Sequence, residues 1–312
     1  MNPSPSPAPL GPGPAVAAVD IGGTAIKLAV VDSEGRTGPV LRVPTPRADP
    51  ERIAPEVLRT AAAGLRTLAG FETVTSVGVG VPGLVDDTGH AVFSENLGWR
   101  DVALAGLAEQ EFALPVTVTH DVRAAGEAER RVGAGRGLAD VVVVTVGTGI
   151  ASAVFVRGVA LTGGGYAGEI GHAVVRPGGE PCVCGNRGCL EATASAAAIA
   201  RRYTAATGTP VEGSREVLRR AQSDDAVATE LWDDAVDALA LGLSHVAAVL
   251  APPAIIVGGG LSQAGDALFT PLRERLAAHH RLRHVPLVPA LLGEDAGVLG
   301  AALAARDARA PE

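Results

Sequence analysis

The chain has 312 residues, 47% of them hydrophobic but only 3% aromatic, so a large core must be built from Ala, Val and Leu. Its formal net charge is −8, which argues against the broad basic face of a sequence-independent nucleic-acid binder and leaves local anion sites open. Residues 1–14, M-N-P-S-P-S-P-A-P-L-G-P-G-P, lack the charged start and apolar run of a signal peptide; their Pro, Ser and Gly content predicts a disordered, extended tail on a cytoplasmic protein.

Residues 15–20 form an apolar run ending in Asp20, followed by Ile21-Gly22-Gly23-Thr24, a second apolar run over 26–31 containing Lys27, and a turn at Ser33-Glu34-Gly35 into 40–43. This reads as a strand–turn–strand–turn–strand meander. A dinucleotide fingerprint would place its glycines between a strand and a helix, and no Walker G-x-x-x-x-G-K-[ST] occurs, so both readings fail. Taken alone, Gly22-Gly23-Thr24 is accounted for by an ordinary hairpin turn. The pattern returns, however: Val141–Val146, then Gly147-Thr148-Gly149, then Ile150–Val156, then Arg157-Gly158 turning into 159–161. Two such meanders predict a duplicated α/β fold.

Between them, Ile53, Val57, Ala61, Leu65 and Leu68 predict a helix over 50–69, and 74–81 reads as a strand ending in the turn Pro82-Gly83-Leu84-Val85-Asp86. Glu95-Asn96-Leu97-Gly98-Trp99 follows; Asn96 suits a turn and Trp99 a core. A helix is predicted over 102–112 and a short strand over 116–119. Next comes His120-Asp121-Val122-Arg123. A carboxylate where a strand gives way to a helix is where α/β folds place site chemistry, and it also suits a helix N-cap.

All three cysteines, Cys182, Cys184 and Cys189, lie in the stretch 169–191, with His172 ten positions before the first. Three thiolates and one imidazole make the closed tetrahedral set of a structural zinc site. Three buried cysteines with an unrelated His, or a disulfide with a spare thiol, are the other readings; disulfides rarely persist in the cytosol. Glu169 and Glu191 bracket this loop. Further on, helices are predicted over 193–206, Ser214–Ala221 and Ala226–Leu250, with Leu231, Val236, Leu239 and Leu243 as core and Pro252-Pro253 as the stop. A buried strand over 254–257 leads into Gly258-Gly259-Gly260, which is read as opening a helix. His279, His280 and His284 read as a solvated helix end, with no acid or Cys among them. A small-residue helix covers 293–305. Two uncharged runs, 141–156 and 239–261, are too short or too broken by Gly and Pro to read as membrane spans.

The sequence E-x-G-H followed by C-x-C-G-x-x-G-C-x-E, with D-x-G-G-T near the start, resembles the ROK family of sugar kinases, sugar-binding repressors and uncharacterised proteins. The resemblance covers about residues 15–305. It implies the two-domain actin/hexokinase-like ATPase fold, with duplicated ribonuclease-H-like halves and a zinc-binding loop over 172–189. It places the small domain at 15–119 plus 294–312 and the large one at 120–293. The two glycine hairpins would grip nucleotide phosphates through Asp20, Gly22, Gly23, Thr24, Gly147, Thr148 and Gly149, with Gly259 and Gly260 near the nucleotide. Lys27 would neutralise phosphate charge or be a solvated strand Lys. His172 would hold Zn²⁺ with Cys182, Cys184 and Cys189 and face the sugar with its other nitrogen. Gly83, Asn96, His120, Asp121, Glu169 and Glu191 would complete the sugar site, with Asp121 as catalytic base.

What the resemblance implies is ATP-dependent phosphorylation of a hexose, glucose to glucose 6-phosphate or a relative such as N-acetylglucosamine. Mg²⁺ would ride with ATP near Asp20, closure of the domains would exclude water, and a dimer is the usual assembly. The family's Asn-Asp-x-Asn is His120-Asp121-Val122-Arg123 in this chain, which puts sugar preference and turnover in question and leaves open a weakly catalytic sugar sensor acting through a protein partner. The family's repressors carry a winged helix-turn-helix before D-x-G-G-T; a Pro-rich segment stands there instead, so no nucleic-acid partner is expected.

Overall fold

The computed structural model describes residues 8–309. The described residues form two compact units, one of 8–137, 160–167 and 294–309, the other of 138–159 and 168–293. In the first, β1 (Val16–Ile21), β2 (Ala25–Val31) and β3 (Leu41–Pro44) make the expected antiparallel meander. Helix α1 (Pro50–Leu65) leads to β4 (Ser76–Val81), parallel to β1. A separate antiparallel sheet of β5 (Leu84–Val85), β6 (Ala91–Ser94) and β7 (Trp99–Val102) follows. Then α2 (Leu104–Phe112) leads to β8 (Val116–His120), parallel to β4, and to α3 (Asp121–Val132). The main sheet runs β3-β2-β1-β4-β8.

The second unit repeats that plan. Strands β9 (Val141–Val146) and β10 (Ile150–Val156) pair antiparallel, with β11 (Val159–Ala160) at the edge. The chain then crosses the cysteine loop into α4 (Leu190–Ala194), α5 (Ala196–Thr207), α6 (Ser214–Ala221) and α7 (Ala226–Leu250). Strand β12 (Ile255–Gly258) pairs parallel with β9, and β13 (Leu287–Pro289), reached through α8 (Asp266–His279), pairs parallel with β12. The order β11-β10-β9-β12-β13 matches the first sheet strand for strand. The helix expected over 193–206 starts earlier and breaks at Ser195, whose hydroxyl caps α5 by accepting the Ala198 N–H. A 3₁₀ turn over Gly260–Ala264 stands between the third glycine loop and α8, so that loop does not open an α-helix directly.

Period-two burial explains the first unit. Ala17, Val19, Ile21, Val77 and Val79 face α1 and α2 on one side of the sheet. Val16, Ala18, Ala29 and Val31 face Val298, Ala301, Ala302 and Ala305 of α9 (Ala296–Asp307) on the other. The small residues of α9 permit backbone contact: a Cβ on Gly78 would lie 1.8 Å from the Ala301 carbonyl oxygen, and one on Gly300 1.8 Å from that of Ala124 in α3. Because α9 binds α3 this closely, α3 belongs to the first unit, and the boundary expected at residue 120 falls at 137. Buried Arg306 donates to the carbonyls of Gly11, Pro14 and Asp32, and the Ala8 N–H donates to Val132. Residues 8–14 of the expected tail are therefore tied to the fold; 1–7 lie outside the described residues. No described helix is long and apolar enough to cross a membrane. The run 141–156 is the β9–β10 hairpin, and 239–261 is divided among α7, β12 and the turn after it.

Candidate active site

Strand order brings the first group of side chains together. Asp20 near the end of β1 pairs with Gly80 of β4, which pairs in turn with Thr119 of β8, so Asp20 and Asp121 flank β4 at Gly80, where an added Cβ would lie 3.8 Å from Asp20 Oδ1 and 3.7 Å from Asp121 Cα. The Asp20 carboxylate lies against the first turn of α9, so close that a Cβ on Gly297 would fall 2.6 Å from its Oδ2. Burial raises the Asp20 pKa, and the Lys27 ammonium 3.4 Å away opposes that rise. Burial, then the neighbouring Asp20, pushes Asp121 up to about 7. Asp121 is the first residue of α3 rather than its N-cap, which is His120; its Oδ1 accepts the Val122 N–H at 2.6 Å. His120 is mostly buried, and its Nε2 is 3.3 Å from Asp121 Oδ1.

The turn Gly22-Gly23-Thr24 joins β1 to β2 and is braced by Thr45, whose hydroxyl donates to the Gly22 carbonyl and whose N–H donates to Thr24. Gly23 lies beside exposed Asn96. Gly83 turns with φ +97° under the Phe93 carbonyl, where a Cβ would sit at 2.2 Å. Trp99 is core, 1% exposed. Lys27 donates its Nζ to the Glu294 carbonyl at 2.7 Å, so it is engaged within its own unit.

In the second unit the four sequence-predicted metal ligands converge. One donor atom each from His172, Cys182, Cys184 and Cys189 lies within 4.8 Å of all the others. Zn–S bonds of about 2.3 Å and a Zn–N bond of about 2.0 Å would set tetrahedral ligands about 3.5 to 3.8 Å apart. Cys184 and Cys189 Sγ are 3.6 Å apart, as are Cys182 Sγ and His172 Nδ1. The three cysteines are free thiols, not a disulfide. Donor set and spacing fit zinc. The other imidazole nitrogen, His172 Nε2, points toward Glu169, 3.9 Å from Oε2.

Three features of this unit escape a reading by spacing. Glu191 Oε2 accepts the Ile150 N–H at 2.8 Å, at the foot of the Gly147-Thr148-Gly149 turn. Gly259, at φ +84°, packs on the Val146 backbone, beside the same turn. Arg176, in the cysteine loop, forks to α7: Nε is 3.0 Å from Asp234 Oδ1 and Nη2 is 2.7 Å from Asp237 Oδ2. Arg202 meets Asp234 at 2.6 Å and His279 meets Asp237 at 3.0 Å. His279 is therefore a hydrogen-bond partner of Asp237 rather than a solvated helix end. Its Asp lies 42 residues away, beyond any local motif.

Known proteins are similar to this chain over most of its length. The ROK family model matches residues 16–308. A glucokinase of Halalkalibacterium halodurans is 35% identical over 305 residues, covering 90% of this chain and 92% of its own. An N-acetylmannosamine kinase of Shigella boydii serotype 18 is 32% identical over 292 residues, covering 93% and 97%. The crystal structure of a ROK family glucokinase from Streptomyces griseus, in complex with glucose and AMPPNP, matches with a TM-score of 0.81 at 34% identity, over 94% of this chain and 99% of that one. With the family model matched over most of its length and curated relatives at 32–35% identity, the chain belongs to the ROK family.

Proposed function

We propose that this protein is an ATP-dependent sugar kinase that phosphorylates a hexose hydroxyl, with the 6-hydroxyl of glucose as its first candidate and an N-acetylated hexosamine, N-acetylglucosamine or N-acetylmannosamine, as the second. The observation that carries this reading is Asp121: a carboxylate at a strand end, raised to about 7, beside Asp20 and the first glycine hairpin. A base tuned near neutrality is matched to taking a proton from a sugar hydroxyl. Positioning and charge stabilisation supply the remainder in phosphoryl transfer.

Gly22, Gly23 and Thr24 in one unit, and Gly147, Thr148, Gly149, Gly259 and Gly260 in the other, are the proposed nucleotide contacts. Their backbone N–H groups suit phosphate oxygens. Mg²⁺ accompanying ATP would offset phosphate charge, with Asp20 as its protein contact. Lys27 orients Asp20 in this scheme. Sugar hydroxyls are the proposed ligands of Gly83, Asn96 and His120 in the first unit, and of Glu169, His172 and Glu191 in the second. Zinc held by His172, Cys182, Cys184 and Cys189 would fix the loop from which Glu169 and Glu191 project. The proposed fold assignment is the duplicated actin/hexokinase-like ATPase, and the proposed assembly is a dimer, to be read by light scattering.

The test is ATP turnover across a panel of glucose, mannose, N-acetylglucosamine and N-acetylmannosamine. Sugar-dependent release of ADP is expected with one of them. Sugar binding with no turnover on any member would overturn the enzyme reading in favour of a sugar sensor.

A further inference from the structure

The chain that leaves the cysteine loop hydrogen-bonds back to the second glycine hairpin. Glu191 stands two residues after Cys189, and its Oε2 accepts the N–H of Ile150, the first residue of β10, at 2.8 Å. At the other end of the same stretch, Ala196, the first residue of α5, donates its N–H to the Gly147 carbonyl at 2.8 Å. One short segment, 191–196, thus holds both ends of the hairpin turn. That segment is itself fixed: Arg201 donates to the Ala192 carbonyl and Arg202 to that of Thr193, each at 2.9 Å. The fit is tight, since a Cβ on Gly149 would lie 2.6 Å from Glu191 Oε2. Ile150 is buried, 2% exposed, so its N–H has no ready access to water if the carboxylate is withdrawn.

We propose that Glu191 is a positioning residue for the Gly147–Gly149 phosphate hairpin, in addition to its place among the sugar ligands. Oε2 is committed to Ile150, which leaves Oε1 for a hydroxyl. A single carboxylate then joins the sugar side of the unit to its nucleotide side, and the metal loop, through Cys189, sets the geometry of both. This rests on the reading of the chain as an ATP-dependent kinase.

The experiment is calorimetric binding of a non-hydrolysable ATP analogue with Mg²⁺, without sugar, to the wild type and to E191A, E191Q and E191D, with sugar binding measured separately. E191A leaves the Ile150 N–H without an acceptor and is expected to weaken nucleotide binding about tenfold. The Gln carbonyl still accepts that N–H, so E191Q should bind nucleotide within about twofold of wild type while sugar affinity falls through loss of the charge. If E191A fails to fold, E191D carries the test: it keeps the charge but withdraws the carboxylate by one methylene, and should weaken nucleotide binding about fivefold. Nucleotide affinity unchanged in E191A or E191D, or Gln no better than Ala, overturns the proposal. A wild type that binds sugar but not the analogue overturns the kinase reading instead.

Discussion

The two glycine hairpins are built on sheets of the same order, and they are equipped differently. In the first unit the strand before the turn ends in Asp20, paired with Gly80. In the second the equivalent position is Thr145, paired with Gly258. Past its last strand the first sheet presents Asp121, whereas the second continues with Ala290, Leu291 and Leu292. The first turn is braced by a Thr hydroxyl and N–H; the second by a carboxylate imported from beyond the cysteine loop. One backbone plan therefore supports two kinds of site. In one, acids grow from the sheet's own strand ends. In the other, a loop held by four metal-type ligands delivers the acid from outside. Duplication supplies the frame, and chemistry is decided by what stands at the strand ends.

If that division is right, the largest effect belongs to the acid on the first sheet. Asp121→Asn keeps the shape and still accepts the Val122 N–H through its carbonyl, but it cannot accept a proton. Turnover should fall at least ~10²-fold, the scale of general base catalysis, while a thermal melt and sugar titration remain close to wild type. Near-normal turnover would erase the distinction between the two sheets.

The loop-borne half of the comparison is tested by Cys184→Ala. Loss of one of four ligands should bring bound zinc, read by elemental analysis of desalted protein, from about one per chain toward none. Sugar affinity should fall by about 10- to 100-fold, because Glu169 and Glu191 lose the anchor that orients them. A wild-type preparation free of metal with sugar affinity intact would show that the loop needs no ion.

Between these in kind, though smaller at any single pH, is a titration confined to the first unit. Asp121 must be deprotonated to act as a base, so kcat/KM should rise about tenfold per pH unit on the acid side and level off above about 7. Stability runs the other way. The folded state holds this proton more tightly than the unfolded chain, so the stability it contributes is complete below the usual carboxylate range. It is lost as pH rises through about 7. Asp121→Asn should flatten that loss; denaturation midpoints at pH 5 and pH 8 that shift equally in both proteins would contradict the raised pKa.

What was legible in the sequence was whatever depends on residue type at short spacing. The meanders, the Gly-Thr turns, Asp121 at a strand end and the His-Cys-Cys-Cys loop all fall in this class, because each is specified within a short continuous stretch of chain. What was not legible depends on which strands lie side by side. The approach of Asp20 to Asp121 needs β4 between β1 and β8. The bond from Glu191 to Ile150 spans 41 residues, and the Arg176 fork to Asp234 and Asp237 spans 58 and 61. Nor could spacing assign α3 to the first unit, since its partner α9 returns only at the end of the chain. The break at Ser195 is different in kind: Ser before an Ala-rich run is itself a local capping signal.

The smallest effect, at the position where this chain departs from the motif it resembles, concerns His120. Its Nε2 is 3.3 Å from Asp121 Oδ1 and its side chain is 12% exposed, so it occupies the space beside the Asp121 carboxylate and does not turn away to pack on α3. A neutral imidazole has one donor and one acceptor nitrogen, whereas an Asn amide has two donor hydrogens and a carbonyl. Replacing His120 by Asn therefore changes which hydroxyl arrangement beside the reacting oxygen can be matched, and it also opens room for the sugar to shift. His120→Asn should alter relative turnover among glucose, mannose and N-acetylglucosamine on the order of fivefold, the worth of about one hydrogen bond, with little change in stability. It should also shift the acid-side fall in activity, because His120 Nε2 lies beside the Asp121 carboxylate and Asn replaces it with an uncharged amide. Turnover against pH for both proteins on the three sugars decides the matter. Superimposable profiles with unchanged preference would make His120 a packing residue, and the chemistry of the first sheet would then rest on its two carboxylates alone.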